Sequence, residues 1–207
     1  IPLERIPECL EKVGMVFLFA PRLHLAMKHV MNARRALKTK TVFNLLGPLT
    51  NPLGASVQLV GVYDLRRTAM MADALARLGT KRAFVVAGHD GMDEITLSGP
   101  TQVSEASGET VTTREVVPED FGLPRVAGES LKGGDAETNA RLLRDVLAGA
   151  HGPLRDVVLA NTSAALVVAE KAADFPGGVA LGLEALDSGA ALETLNKLVQ
   201  FTRQVAH

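Results

Sequence analysis

The stretch "GHDGMDEITLSG" at residues 88–99 concentrates side chains that bind metal ions or transfer protons: His89, Asp90, Asp93 and Glu94. Asp93 and Glu94 are adjacent, so on a loop both carboxylates can reach one hard cation. Mg²⁺ commonly takes one or two carboxylates and completes its shell with substrate phosphates and waters. The alternative is a solvated turn in which Asp90 bonds its own backbone. Composition alone leaves both interpretations open and favours the turn.

His89 is a second candidate, as a metal ligand or a general base. No other histidine lies near it in the sequence, so a zinc site lacks its usual ligands. A histidine beside a glycine turn is more often a hydrogen-bonded loop residue. His89 therefore receives no assigned role.

Arg34 and Arg35 lie on a predicted helix at residues 22–37. An arginine there can bind a carboxylate through two parallel hydrogen bonds at the end of an apolar channel. A solvent-facing basic helix end is an equally good interpretation, because cations favour that end of the helix dipole. Periodicity does not separate the two.

The composition of the chain argues against several classes of function. The chain has 207 residues, 47% of them hydrophobic, with 22 basic and 23 acidic side chains and a net charge of −1. This balance gives no basic field to attract nucleic acid. The single cysteine, Cys9, fits a reducing compartment and a small buried role. No signal peptide opens the chain, and no run approaches the roughly 18 apolar residues of a membrane span.

The elements that must position these residues follow a strand–helix–strand order. Residues 57–64 and 82–88 are predicted strands, and the stretch between them is a predicted helix that ends at Gly79. Near-continuous apolar strands in this order predict a parallel sheet covered on both faces. A β-hairpin about Ser107 and Gly108 follows at a sheet edge.

The C-terminal half is predicted to be mainly helical. Asp135, after "KGG", begins a helix with plain capping chemistry, which is favoured over a phosphate loop. Its predicted apolar stripe is Ala136, Ala140, Leu143 and Leu147. Residues 155–172 are predicted as a strand and then a helix with Asn161 as N-cap, and two more helices are divided at Gly189. The fold class is thus α/β, a mostly parallel central sheet flanked by helices with an edge hairpin, in one domain over residues 1–207.

Longer strings carry a family resemblance. "FLFAPRLHLAMKHVMNARRALKTKTVFNLLGPLTNP" at 17–52, "GHDGMDE" at 88–94, "LKGGDAETNARLLRDVL" at 131–147 and "EALDSGAALETLNKLVQF" at 184–201 closely resemble anthranilate phosphoribosyltransferases. The resemblance covers essentially the whole chain. It implies a catalytic domain like those of nucleoside phosphorylases and phosphoribosyltransferases.

This resemblance implies an activity. The family transfers the phosphoribosyl group from 5-phosphoribosyl-1-pyrophosphate to the amino group of anthranilate, giving N-(5-phosphoribosyl)anthranilate and pyrophosphate in tryptophan biosynthesis. It further implies a Mg²⁺ cofactor, a cytoplasmic homodimer, and no nucleic-acid or membrane partner. Because an aromatic amine needs little deprotonation before attack, no protein residue is expected to act as a strong base.

Site residues follow from matching positions. Asp93 and Glu94 match the acidic pair that holds magnesium, and Arg34 matches the arginine that contacts the anthranilate carboxylate. The remaining residues implied for the anthranilate channel and pocket are Ala20, Pro21, His24, Met27 and Pro48.

Several family motifs have no counterpart in these 207 residues. They are the glycine-rich "GTGGD" pyrophosphate loop, the "KHGNR" segment and a serine- and alanine-rich segment. We therefore expect this chain to be the C-terminal α/β portion of such an enzyme, an incomplete domain that lacks an upstream helical domain and the first strands. We expect this portion alone to be inactive.

Two alternatives remain. A pyrimidine nucleoside phosphorylase would use phosphate as its nucleophile, but "FNLLGPLTNP" with Arg34 upstream argues against it. A non-catalytic relative that binds a ligand or nucleic acid is disfavoured by the charge balance and by the presence of both Asp93 and Glu94.

Overall fold

The structure, a computed structural model, describes residues 1–19 and 43–205. The described strands are β1 (Val57–Gly61), β2 (Arg82–Gly88), β3 (Thr101–Ser107) and β4 (Thr110–Val116). The described α-helices are α1 (Ile6–Val13), α2 (Phe43–Leu49), α3 (Thr68–Arg77), α4 (Ala136–Leu147), α5 (Pro153–Val168), α6 (Phe175–Asp187) and α7 (Ala190–Gln204).

The described strands form one sheet in the order β1-β2-β3-β4. β1 and β2 are parallel and joined through α3, whereas β2–β3 and β3–β4 are antiparallel. The α/β fold with an edge hairpin is confirmed, with β3 and β4 turning at Gly108. The pairing of these four strands is mixed rather than mostly parallel, because the turn after β2 brings the chain straight back alongside β2 instead of crossing a face of the sheet.

Helices cover both faces of β2. Phe84 and Val86 are buried in one cluster with residues of α5 and α6. Ala83, Val85 and Ala87 are buried in a second cluster with residues of α3. Successive side chains of a strand point to opposite faces, so burial on both faces explains the uninterrupted apolar run in this strand. Packing therefore fixes the sheet from both sides at the point where β2 ends.

Two expectations for the C-terminal half are wrong. Residues 155–172 contain no strand, because α5 runs as one continuous helix from Pro153 to Val168. A short apolar run such as "VVLA" does not distinguish a buried strand from a buried helix, and the second is what forms. Asn161 therefore lies in mid-helix and is not an N-cap.

The apolar stripe predicted on α4 is also largely wrong. Val146 is its buried residue, Ala136, Ala140 and Leu143 are exposed, and only Leu147 packs partly against the core. The helix lies at the edge of the fold and touches α5 and α7, so little of its surface is covered. Its start is as predicted, because the Asp135 carboxylate accepts the Thr138 backbone N–H at 2.8 Å.

The small buried role expected for Cys9 is confirmed. Cys9 is fully buried on α1. Asp64 caps the helical turn that leads into α3 by accepting the Arg66 backbone N–H. Within the described ranges, no helix is both long and apolar enough to cross a lipid bilayer.

Candidate functional site

The turn after β2 closes on itself through its backbone. Gly88 donates its N–H to the Met92 carbonyl at 2.8 Å, and His89 donates to the Pro100 carbonyl at 3.0 Å. Gly91 has φ +91°, a left-handed conformation that side chains disfavour. The stretch from 88 to 100 is therefore a folded loop at the carboxyl end of a parallel strand, a common location for ligand sites in α/β sheets. We call this stretch the acidic turn.

Asp90 holds the acidic turn together from inside. Its Oδ1 accepts the Met92 N–H at 3.1 Å, and its Oδ2 accepts the hydroxyls of Thr96 and Ser98 at 2.6 and 2.5 Å. Desolvation raises the pKa of the Asp90 carboxyl, but the bonds from Ser98, Thr96 and Met92 outweigh it and set the pKa below its usual value. The predicted backbone bond of Asp90 is confirmed. Both oxygens of Asp90 are thus engaged in shaping the turn.

Asp93 and Glu94 differ from Asp90 in their hydrogen bonding. Asp93 is exposed and Glu94 half-buried, and neither side chain has a hydrogen bond or an ion pair with any residue that the structure describes. Burial raises the pKa of the Glu94 carboxyl, and the nearby charges of Asp93 and Asp90 raise it further. An uncompensated, partly buried carboxylate beside other carboxylates favours binding of a cation.

The donor set suits magnesium with a phosphate substrate. Among the described residues, no group of three or more histidine, cysteine, aspartate or glutamate side chains is arranged to hold a metal ion. Asp93 and Glu94 would thus supply two oxygen ligands, and waters and phosphate oxygens would supply the rest. This division is typical of Mg²⁺ in phosphate-transfer sites.

Two residues outside the turn fix the backbone of this pair. A Cβ at Gly61, at the end of β1, would overlap the carbonyl oxygen of Asp93. On the other side, the Asn161 side chain of α5 binds both the N–H and the carbonyl of Ile95, each at 2.9 Å. Sequence reasoning missed both contacts. The one available signal was a polar Asn161 inside the apolar stretch "VVLANTSAALVV".

His89 makes a local contact and is not part of a metal cluster. Its Nε2 lies 2.8 Å from Oε1 of Glu115 on β4. This contact ties the start of the acidic turn to the edge strand, in line with the hydrogen-bonded loop residue expected from the sequence.

Of the remaining predicted site residues, Pro48 falls within the described ranges, and the structure does not bring it to the acidic pair. Pro48 lies in α2 and lines a cavity of about 220 Å³ with residues around Ser56 and Thr80. That cavity is near the start of β1, whereas Asp93 packs on Gly61 at its end, about 13 Å of strand away. Ala20, Pro21, His24, Met27 and Arg34 lie outside the described residues. Their roles stay predictions, as does that of Pro48.

A sequence comparison identifies the family. Residues 1–192 match the glycosyl transferase family, a/b domain. The chain belongs to this family. This glycosyl transferase family member is 52% identical over 204 residues to an anthranilate phosphoribosyltransferase of Rubrobacter xylanophilus, an alignment that covers 98% of this chain and 60% of that protein.

Solved structures agree with the family assignment. The fold superposes on anthranilate phosphoribosyltransferase from Thermus thermophilus with TM-score 0.90 and 44% identity, covering 98% of this chain and 60% of that one. It also superposes on the Saccharomyces cerevisiae enzyme in complex with PRPP and Mg, with TM-score 0.89 and 29% identity, covering 99% and 59%. This member of the glycosyl transferase family thus spans about three-fifths of the length of its relatives.

Proposed function

We propose that this chain carries the metal-binding acidic turn of an anthranilate phosphoribosyltransferase. The proposed reaction transfers the phosphoribosyl group from 5-phosphoribosyl-1-pyrophosphate to the amino nitrogen of anthranilate in tryptophan biosynthesis. The observation that carries the proposal is the pair Asp93 and Glu94, free of protein partners among the described residues and held on a closed turn at the carboxyl end of a parallel strand. The relatives named above support the choice of substrates.

The proposed chemistry exchanges one bond at the C1 carbon of the ribose. The nitrogen of anthranilate forms a bond to C1, the bond from C1 to the pyrophosphate oxygen breaks, and the nitrogen loses a proton to solvent or to the leaving group. Bound Mg²⁺ would neutralise negative charge on the leaving pyrophosphate. Asp93 and Glu94 would hold that ion, and Asp90 would fix the loop that carries them. The protein's contribution is then positioning and electrostatics rather than a base.

The anthranilate side of the site is part of the same proposal. Arg34 would bind the anthranilate carboxylate through its planar pair of donors. The side chains proposed to line the channel and pocket are Ala20, Pro21, His24, Met27 and Pro48. Because the chain spans about three-fifths of its relatives, the loop that binds the pyrophosphate would come from outside these 207 residues.

Two enzyme assays test the proposed function. The protein as expressed from its gene should consume anthranilate, followed by its fluorescence, only with 5-phosphoribosyl-1-pyrophosphate and Mg²⁺ present. It should release no free base from thymidine and phosphate. Phosphorolysis of thymidine without anthranilate consumption would replace the proposal with a nucleoside phosphorylase. The isolated 207-residue chain should give no turnover, and clear turnover by it would contradict the view that essential parts lie elsewhere.

Homodimerisation and a cytoplasmic location belong to the proposal as well. The resemblance to anthranilate phosphoribosyltransferases implies both. The single buried cysteine suits a reducing compartment and so supports the location. Light scattering of the protein as expressed from its gene should give twice the mass of one chain. If the measured mass is that of one chain at every concentration used in the assays, the proposal that the protein is a dimer is wrong.

A further inference from the structure

We propose that Asn161 is a positioning residue for the metal-binding pair, acting across the fold from helix α5. The inference rests on the proposed function, since it concerns the same Asp93 and Glu94. It assigns to one half-buried side chain the role of holding the acidic turn in its metal-binding shape.

The contacts of Asn161 are specific and complete. Its Oδ1 accepts the Ile95 N–H at 2.9 Å, and its Nδ2 donates to the Ile95 carbonyl at 2.9 Å and to the Val157 carbonyl at 3.0 Å. An asparagine amide has two donor hydrogens, and both are used. Asn161 is therefore committed to backbone groups and is not itself a candidate metal ligand.

These bonds act on the backbone directly beside Glu94. The Ile95 N–H belongs to the peptide unit that joins Glu94 to Ile95, so the bond to Asn161 fixes the orientation of that unit. The Ile95 carbonyl belongs to the next unit, whose Thr96 N–H donates to the Thr101 hydroxyl at 3.0 Å. Two consecutive peptide units on the carboxyl side of Glu94 are thus held by partners from other elements.

The anchoring helix is a rigid support. Around Asn161, α5 contributes the buried residues Val157, Ala160 and Ala164 to the main core, and Ile95 is only 1% exposed in the same core. Groups that orient metal ligands from outside the ligand set typically change metal affinity 10- to 100-fold when removed. Orientation of the metal ligands would explain why the polar Asn161 occurs within the apolar sequence of α5.

The chain offers a matched control in Asn139. Its Oδ1 accepts the Gly134 N–H at 2.8 Å and its Nδ2 donates to the Gly134 carbonyl at 3.0 Å. Like Asn161, Asn139 thus binds both the N–H and the carbonyl of a single residue through its side-chain amide. The loop that it binds carries no proposed metal ligands. Asn139→Ala therefore loses the matching pair of backbone bonds and should leave the proposed metal site untouched.

The experiment measures Mn²⁺ binding by electron paramagnetic resonance, with 5-phosphoribosyl-1-pyrophosphate present, in the protein as expressed from its gene. Asn161→Ala should weaken Mn²⁺ binding by about tenfold or more, and Asn139→Ala should not change it. Asn161→Asp keeps the acceptor and the volume but loses both donors, so it tests the inference if the alanine variant does not fold. In turnover, the Asn161 variants should need more Mg²⁺ and regain kcat when Mg²⁺ is saturating.

Each outcome has a distinct meaning. If Asn161→Ala or Asn161→Asp unfolds more easily but binds Mn²⁺ as tightly as the wild type, Asn161 is structural only and the inference is overturned. If Asp93→Ala with Glu94→Ala also leaves Mn²⁺ binding intact, it is the proposed metal site that fails. If the double variant of Asp93 and Glu94 loses Mn²⁺ binding but the Asn161 variants do not, the proposed function stands and only the role of Asn161 is rejected.

Discussion

Gly61 at the end of β1 lies directly against the backbone carbonyl of Asp93, so close that any side chain at position 61 would overlap it. Gly61 is the last residue of β1, and Asp93 lies in the turn that follows the neighbouring parallel strand β2. Gly61 therefore fixes the backbone position of the first residue of the acidic pair. The obstructing atoms are backbone, which cannot rotate away as a side chain can. A glycine is thus required here by a close approach and not by an unusual φ.

Gly61→Ala should displace the acidic turn. We expect a loss of stability of about 1–3 kcal/mol, the usual cost of overpacking, together with weaker Mg²⁺ binding. Chemical denaturation and the Mg²⁺ dependence of turnover measure the two effects. Gly99→Ala is the control, because a Cβ at Gly99 meets no atom within 4 Å. Equal behaviour of the two variants would show that the contact between Gly61 and Asp93 does not constrain the turn.

Asp90→Asn should loosen the acidic turn from within. The Asp90 Oδ2 accepts two hydroxyl bonds, and bonds to a charged acceptor contribute more than neutral ones. We expect a loss of about 1–3 kcal/mol in the free energy of unfolding at neutral pH. Since the pKa of Asp90 is lowered on folding, this difference from the wild type should shrink as the pH falls through that lowered pKa.

Urea denaturation at several pH values measures this difference. Asp145→Asn, an exposed carboxylate on α4, should have little effect at any pH. A difference between wild type and Asp90→Asn that stays constant down to strongly acidic pH would contradict the role of the Asp90 charge.

Glu94→Gln should stabilise the metal-free protein near neutral pH. The raised pKa of Glu94 means that its ionised form is less favourable in the folded state than in the unfolded one. This penalty is absent below the unfolded pKa and grows as the pH rises through the higher folded pKa. The variant removes the penalty but also removes a ligand, so it should lose the increase in Tm that Mg²⁺ gives the wild type.

Thermal denaturation from acidic to neutral pH, with and without Mg²⁺, tests both parts. A variant that is less stable than the wild type at neutral pH without metal would show that Glu94 has a stabilising partner.

Glu170→Gly should stabilise the fold. Glu170 follows α5 with φ +57°, the one non-glycine residue with positive φ among the described residues. Its carboxylate is exposed and its ion pairs, to Lys81 at 3.9 Å and Arg82 at 3.7 Å, are long, so they contribute little. Relief of the left-handed conformation should add about 1 kcal/mol. A lower denaturation midpoint in the Glu170→Gly variant would show that the ion pairs outweigh the strain.

The features that local chemistry determines were predictable. The apolar run 82–88, the turn after it and the bond from Asp90 to its own backbone all depend on residues within a few positions of one another. The β-hairpin at Gly108 and the cap at Asp135 are local in the same sense.

The features that depend on distant residues were not predictable. The contact of Asn161 with Ile95 joins residues 66 positions apart, and that of Gly61 with Asp93 joins two strand ends. The apolar run before Asn161 fits a buried strand as well as a buried helix, and only packing against the sheet decides for the helix. The supports of the acidic pair thus become visible only in the folded chain.

The most direct test removes the acidic pair itself. Asp93→Ala with Glu94→Ala should lower Mg²⁺-dependent consumption of anthranilate and 5-phosphoribosyl-1-pyrophosphate by at least about 100-fold, in the protein as expressed from its gene. Glu137→Ala with Asp145→Ala removes the same charge from exposed positions on α4 and should leave the rate unchanged. Full activity of the Asp93 and Glu94 variant at limiting Mg²⁺ would contradict the account, because the acidic turn would then have no part in metal-dependent transfer.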